Sequence, residues 1–579
     1  MSDQSNYREA SSASNNQDVH VRIWPAILIA LAHLAAAYAF ARLGTTNIQN
    51  AIALGGVPLI STILLLIWWL VASRTPLLDR LIGLVLFIAA AAAVIFSQKS
   101  TGLGGMLMAL ALPYMTIGMV VVLVATYPLR WPLRRWVLAA FLLTCAGVYC
   151  AMRVDSIGGN LAPVTSWRWQ PTTQEQSEAV PRFEAHATAV LPAEAGPGDW
   201  PAFRGPRRDG RATGIRFSTD WSTPPKEVWR RNIGPAWSSF IAVGDYLFTQ
   251  EQRGSEELVT CYNAATGDPV WQNQVEAQFD DSMGLGPRAT PTFVDGKLYT
   301  QGGTGVLQCL DAATGNTLWK RDLTKDAERG VPGYGFCSSP LVANDLVIVF
   351  TLGGDGKSII AYRRETGEPA WRAGHHTSGY CSPQLAVIQE VPQVLMVSDF
   401  GIQSFVPETG AALWEYPWGI KTNPRCTQPV EIGNKSVMFG ATGTSGSCLL
   451  RIEKKDSGWT TQEKWMTKKF RPYFNDGVLH KGYYYGFDGE RVACLDLDTG
   501  ERRWEGNRYS GQLLLLADMD MLLILSEAGD VALVPATPER FSEVARFKAL
   551  TGKTWNHPVV AHGKLFVRNS QEAACFELN

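Results

Sequence analysis

Three arginines in the last two thirds of the chain, Arg288, Arg425 and Arg471, fall at comparable points of a recurring segment pattern. Trp237, Tyr380 and Trp555 fall at similar points, with Ser238, Tyr334, Phe336, Tyr473, Asn475, Gln512, Asn556 and His557 beside them. If the recurring units stand around one axis, these residues meet at one end of it. Guanidinium groups hold carboxylates through charge-assisted hydrogen bonds, and aromatic faces stack on planar groups and cations. A mouth so built suits an anionic, planar ligand; the opposing reading is a wet polar channel that holds none. Asp280 and Asp281, before Arg288, and the pair Asn475 and Asp476 offer oxygen atoms of the kind Ca²⁺ takes, against the plainer reading of solvated loops. His375 and His376 form a loop pair with no third ligand in view. The chain has no C-x-x-C-H haem attachment, phosphate loop, nucleophile elbow or zinc spacing. No residue is assigned a catalytic role, and no metal ligand is assigned.

The elements that would position these residues are repeats. The segment from Cys261 through Thr266-Gly267 to Trp271 returns with Thr314, Gly315 and Trp319, with Thr366, Gly367 and Trp371, with Thr409, Gly410 and Trp414, and with Thr499, Gly500 and Trp504. Two worn copies run from Cys448 to Trp465 and from Ala532 to Phe547. A strand ends at a Thr-Gly turn, where glycine accepts positive φ, and four residues later a tryptophan lies on the returning strand. Asp295-Gly296 between apolar runs marks a further hairpin. Each unit is therefore four short strands. From Trp229 to Phe547 the aromatic positions are 42, 48, 52, 43, 51, 39 and 43 residues apart. That period, with four strands per unit, is the period of propeller blades. The chain stops at 574–578 where a tryptophan strand should follow, and the Trp229 strand (226–231) has no blade before it. Joining the two closes a ring of eight blades and removes the open sheet edges. Cys261, Cys309, Cys448, Cys494 and Cys575 recur at one phase of the repeat, and Cys337, Cys381 and Cys426 at another, as small residues packed between sheets would.

The Ala/Leu-x-Asp-x-x-Thr-Gly-x-x-x-Trp repeat resembles the tryptophan-docking motif of the PQQ-like (quinoprotein-type) β-propellers, over about residues 200–579. The resemblance implies either a quinoprotein dehydrogenase, with PQQ and Ca²⁺ in the channel, or a cofactor-free propeller of the kind found in outer-membrane assembly. An apolar multi-helix segment before a propeller is similar in layout to membrane-bound quinoprotein glucose dehydrogenase. The adjacent-cysteine pair and the long insertions of the dehydrogenases are missing here. The cofactor-binding candidates are Trp237, Arg288, Tyr380, Arg425, Arg471, Asn475 and Trp555, with PQQ and Ca²⁺ the ligand they would take.

The first 170 residues read differently. Apolar runs at 23–43, 51–72, 78–96, 106–126 and 136–152 have the length that crosses about 30 Å of hydrocarbon as a helix. Arg8, Arg22, Arg74, Arg80, Arg130, Arg134 and Arg135 collect on one side of these runs, against Arg42, Lys99 and Arg153 on the other. The richer side is the cytoplasmic one, so five crossings leave the C-terminal part outside. A signal peptide cleaved after Ala39-Phe40-Ala41 is the alternative for the first run, with the same outcome for the propeller. His33, within that run, reads as a packing residue.

The whole chain, 579 residues with 52 Lys+Arg and 53 Asp+Glu, lacks the basic excess of a nucleic-acid binder. The expectation is a cytoplasmic tail (1–22), a five-helix α-helical transmembrane domain (23–153), a solvated linker (154–198) and an all-β, eight-bladed propeller (199–579). It sits in a bacterial inner membrane with the propeller on the periplasmic side. The expected role is a non-catalytic binding or scaffold module for a membrane or periplasmic protein. The rival is a PQQ-dependent dehydrogenase passing electrons to membrane quinone.

Overall fold

The computed structural model describes residues 21–43, 52–159, 161–180, 187–419, 425–442 and 445–578, in two compact units. The first is helical. Its helices are α1 (Trp24–Leu43), α2 (Val57–Ile67, with π-helical turns at Ile52–Gly56 and Trp68–Ala72), α3 (Leu77–Phe96), α4 (Thr101–Ala125) and α5 (Trp131–Ala151). Among the described residues, four segments are long and apolar enough to cross a membrane: Ile52–Ala72, Leu77–Phe96, Gly102–Ala125 and Trp131–Cys150. The apolar part of α1, Trp24–Phe40, is shorter than these. Two helices start about five residues before the expected spans. Ser100 accepts the N–H of Leu103 and opens α4, and Pro132 occupies the first turn of α5, where a missing N–H costs nothing. Two glycines of α4 serve close packing: a Cβ on Gly104 would collide with the carbonyl oxygen of Ile95 in α3, and one on Gly118 with the ring of Phe141 in α5. His33 packs against Ser61, Nδ1 to Oγ 2.7 Å.

The second unit is the propeller. Its sheets in chain order are blade I (Ile241–Glu276), II (Thr292–Asp322), III (Leu341–Ala373), IV (Gln384–Pro417), V (Val430–Thr467), VI (Val478–Arg508), VII (Gln512–Lys548) and VIII (Val559–Glu577). Every blade is an antiparallel meander. Blade VIII takes its fourth strand from Lys226–Asn232, which pairs with Glu572–Glu577 and closes the ring; blade VII gains a fifth from Arg211–Ala212.

The tryptophan repeat is what holds neighbouring blades together. Trp271 donates its indole N–H to the carbonyl of Ala312 in the next blade (3.1 Å), and Trp229, Trp319, Trp371, Trp465 and Trp504 make the same reach to Ala264, Arg364, Pro407, Leu497 and Thr537. Except for Trp504, whose neighbour has no Thr-Gly turn, the ring then lies over the glycine of that blade's Thr-Gly turn: a Cβ on Gly315 would stand 2.5 Å from Trp271. Trp414 breaks the pattern. Blade V replaces the Thr-Gly turn with a long hairpin (Gly446–Lys455 and Gly458–Thr467), and Trp414 turns back to Gln393 of its own blade, 2.7 Å. Cys261, Cys309, Cys494 and Cys575 sit opposite Trp271, Trp319, Trp504 and Trp229 and are fully buried; all are free thiols.

The expected solvated linker is a correction. Asp155–Val164 and Trp169 onward belong to the propeller unit. Ala189 N–H bonds the carbonyl of Ala313 and is buried with blade I, and Gly254 N–H bonds Ser177 Oγ of a short helix, Thr173–Ala179. The segment shows no periodicity because its own elements are brief, two short strands (Met152–Ile157 and Pro163–Trp167) and that helix, and elsewhere its backbone borrows partners from the blades.

Candidate functional site

Eight loops enter the inner strands of the eight blades from one side, and their last residues meet on the axis. Two positions before the inner strand in seven blades, and at its first residue in blade VII, each blade carries one polar residue: Ser239, Thr290, Ser339, Ser382, Gln428, Asp476, Gln512 and His557. Together they form a belt. The N–H of Ser239 bonds Thr290 Oγ1 (3.1 Å), that of Thr290 bonds Ser339 Oγ (2.9 Å), and that of Ser339 bonds Ser382 Oγ (2.8 Å). Gln428 continues to Asp476 (2.8 Å), Asp476 to Gln512 (3.3 Å), and His557 returns to Ser239 (2.7 Å). At these six junctions one blade satisfies a backbone donor of its neighbour that would otherwise be buried unpaired.

Beside the belt lies a chamber of about 180 Å³ with aromatic walls, among them Trp237, Tyr334, Tyr380, Tyr473, Phe474 and Trp555. The rings touch in pairs: Trp237 and Phe474 each lie 4.9 Å from Trp555, and Tyr334 lies 5.1 Å from Tyr380. Cys337 and Cys426 also face it, and burial pushes the Cys337 thiol up to about 12.

The chain's own residues stand at both ends of this chamber. At the mouth, Lys553 lies over the rings of Trp237 and Trp555 (5.1 and 4.3 Å). It donates to Ser156 Oγ, the carbonyl of Ile157 and the carbonyl of Met283 at 2.7 to 3.0 Å. Desolvation lowers its pKa to about 7. Glu527, raised by burial, accepts from Gly159 N–H (2.8 Å) and Trp555 Nε1 (3.0 Å). On the other side of the belt, Phe203 meets His557 edge-on at 5.1 Å, and Arg204 stands 3.8 Å from Asp476. Burial, with Arg204 second, drops the His557 pKa to about 3, so its imidazole is neutral. Burial raises the Asp476 pKa.

Of the seven ligand candidates, Trp237, Arg288, Tyr380 and Trp555 line the chamber. Arg288 is already spent: it pairs with Asp281 at 2.7 Å and donates to the carbonyls of Gly284 and Gly286. Arg425 bonds Ser378 Oγ, 2.7 Å. Arg471 pairs with Asp488, 3.1 Å. Asn475 donates to the carbonyl of Gly511 and ties blade VI to blade VII. The three arginines do not converge, because each finds another acceptor: Arg288 in its own loop, Arg471 in the blade it enters and Arg425 in the neighbouring loop. Asp281 faces Arg288 rather than a cation, and His376 stacks on Phe400, 4.6 Å. Sequence reasoning missed the belt. Its signal was present, one polar residue at or just before the start of each inner strand, but serine, threonine, glutamine, aspartate and histidine share no motif.

Comparison with known proteins gives this geometry its relatives. A family model described as outer membrane protein assembly factor BamB matches residues 222–329 and 255–506. Outer membrane protein assembly factor BamB of Burkholderia pseudomallei is 25% identical over 353 residues, which cover 57% of this chain and 84% of that protein. Quinoprotein alcohol dehydrogenase PedH of Pseudomonas putida is 30% identical over 189 residues, 30% of this chain and 29% of the enzyme. The solved quinohemoprotein alcohol dehydrogenase ADHIIG of Pseudomonas putida HK5 superimposes with a TM-score of 0.50 at 14% identity, over 67% of this chain and 83% of that chain, a likeness of fold. By its repeat, its eight blades and these relatives, the chain belongs to the PQQ-like β-propeller repeat family.

Proposed function

We propose that this protein is a non-catalytic binding module, held in a bacterial cytoplasmic membrane by its apolar helices, whose propeller meets a protein partner on the outer side. The observation that carries this reading is the small chamber on the axis, whose neighbouring charged groups are held by the chain's own residues. The charged groups at it are already engaged: Lys553 with Ser156, Ile157 and Met283, Glu527 with Gly159 and Trp555, Arg288 with Asp281. At about 180 Å³ it falls below the roughly 300–1,000 Å³ of pockets that enclose small organic ligands. The broad match to an assembly factor, over 84% of that protein's length, supports the same reading.

The second reading, a PQQ-dependent dehydrogenase, draws on the local identity with quinoprotein alcohol dehydrogenases and on the aromatic walls. The donor set fits that cofactor poorly: the one chamber-lining arginine among the seven candidates is neutralised by Asp281, and of the carboxylates offered for a cation Asp281 is held by Arg288 and Asp476 by Arg204 and the Gln428 N–H. The test is direct. Full-length protein in detergent is incubated with Ca²⁺ and PQQ, freed of unbound cofactor, and assayed for quinone absorbance and for dye reduction with alcohols and sugars. No retained quinone is expected. Retained quinone with turnover would overturn the proposal.

A further inference from the structure

Residues Trp200–Ala212 thread the channel and are bonded to most of its wall. Trp200 pairs with Ala242 of blade I, the carbonyl of Pro201 accepts Phe293 N–H of blade II, and Arg208 donates to the carbonyls of Ser339 and Pro340 entering blade III. Arg204 and Arg211 donate to the carbonyls of Gly477 and Leu479 at blade VI, and Arg211–Ala212 pair with Leu515–Leu516 of blade VII. Among the described residues the segment makes no such bond to blade IV or blade V. Their inner strands, Gln384–Ile388 and Val430–Ile432, are the edge strands of their sheets. On blade IV, Leu385 and Val387 share one face and are 37% and 45% exposed. Between these edges and the threaded segment lies a cavity of about 800 Å³, on the side of the belt away from the chamber.

Its charge is one-sided. Arg204, Arg207, Arg208 and Arg211 line it against Asp209 and Glu431. Asp209 is taken by Arg207 (3.2 Å), and Glu431 accepts Val387 N–H (2.8 Å). Arg208 is buried and lines the cavity, its Nε has no hydrogen-bond partner, and among the described residues no carboxylate stands within 4.0 Å of it. Arg211 Nε is likewise unpaired and buried. A cation held in this state lacks its anion. A strand edge with alternating apolar side chains takes an extended peptide, whose backbone adds to the sheet while side chains enter the neighbouring space; on blade IV such a peptide displaces Glu431 from the Val387 N–H.

We infer that the cavity is a docking site for an extended peptide segment of a partner protein, laid along the inner edge of blade IV, with a carboxylate on Arg208 and Arg211 and aliphatic side chains on Leu385 and Val387. This rests on the binding-module reading and names the chemistry of its partner.

The probes are fluorescein-labelled octapeptides alternating Glu or Asp with Val or Leu, read by anisotropy against full-length protein in detergent. Their Gln and Asn counterparts, and citrate and inorganic phosphate as competitors, complete the set. At least one acidic peptide binds, its amide counterpart binds at least tenfold more weakly, and Leu385→Asp and Arg211→Gln each weaken it at least tenfold while the melting temperature stays put. Absence of binding by every acidic peptide overturns the inference, as does binding indifferent to Leu385→Asp. Full displacement by citrate or phosphate, with the same dependence on Arg211, also overturns it and leaves a small-anion site. The PQQ assay is independent: a silent peptide panel with no quinone retained removes this site but not the binding module, whereas turnover removes the module itself.

Discussion

At the scale of single residues, the inter-blade joint separates two kinds of glycine. Gly315 and Gly296 both have positive φ, 75° and 70°. A Cβ on Gly296 meets nothing within 4 Å, whereas one on Gly315 meets Trp271 at 2.5 Å. Gly296→Ala therefore carries only the left-handed backbone cost, about 1 kcal/mol. Gly315→Ala adds displacement of a fully buried tryptophan and should cost several times as much, on the scale of overpacked cores at about 1–3 kcal/mol more. Thermal melts of the two variants check this; equal losses would mean that the turn conformation, not the stacked indole, is what matters. Glu257 supplies a pH prediction. Desolvation raises its pKa to about 7, against the donated N–H of Gly303 at 3.0 Å. The folded state then holds this proton more tightly than the unfolded chain, whose value is near 4.5. Stability is full below that value and falls as pH climbs to about 7, by about 3 kcal/mol at most. Glu257→Gln should flatten the melting temperature between pH 4.5 and 7 and raise it at pH 8 relative to the parent. An unchanged slope would place the pH dependence elsewhere.

At the scale of elements, the threaded segment behaves as an inner bolt rather than a linker. Its internal charge is Arg204 against Asp476, both buried, with Gln428 N–H as the second partner of the carboxylate. Removing one member of a buried pair strands the other, which costs about 3–5 kcal/mol. Arg204→Ala should fall in that range, and Asp476→Asn added to it should recover part of the loss, since an amide still accepts the Gln428 N–H without a buried charge. Additive losses in this cycle would show that Arg204 acts through its bond to Gly477 alone. The same elements show where the sequence was readable. The Thr-Gly-Trp period is local and chemical, so blades, turns and ring closure follow from it. The paths of residues 155–159 and 199–212 are set by carbonyls and N–H groups that the blades leave open, such as Phe293 N–H and the carbonyl of Pro340. No side-chain pattern encodes those. The arginines failed as a cluster for a related reason: spacing fixes their phase in the blade, while Asp281, Ser378 and Asp488 fix where each guanidinium ends.

At the scale of the whole molecule, the side of the membrane that holds the propeller is decided by the last helix alone. α5 carries Arg134 and Arg135 in its first turns, with Arg130 just before them, and no charged residue from Trp136 to Met152. Retention of that arginine cluster on the cytoplasmic side sends everything beyond Met152 outward. Whether the shorter apolar stretch of α1 crosses changes the place of the N-terminus and nothing beyond it. The measurement is labelling of intact cells with a membrane-impermeant maleimide after the outer membrane is opened. Tyr127→Cys lies in the loop before α5 and Lys455→Cys on the blade V hairpin, and both positions are exposed. The propeller's repeat cysteines, Cys261, Cys309, Cys448, Cys494 and Cys575, are buried and contribute little background. Lys455→Cys should label in intact cells and Tyr127→Cys only after lysis. The reverse pattern would place the propeller in the cytoplasm. It would also remove any role for the peptide groove on the outer side, because the groove and the hairpin belong to one closed ring.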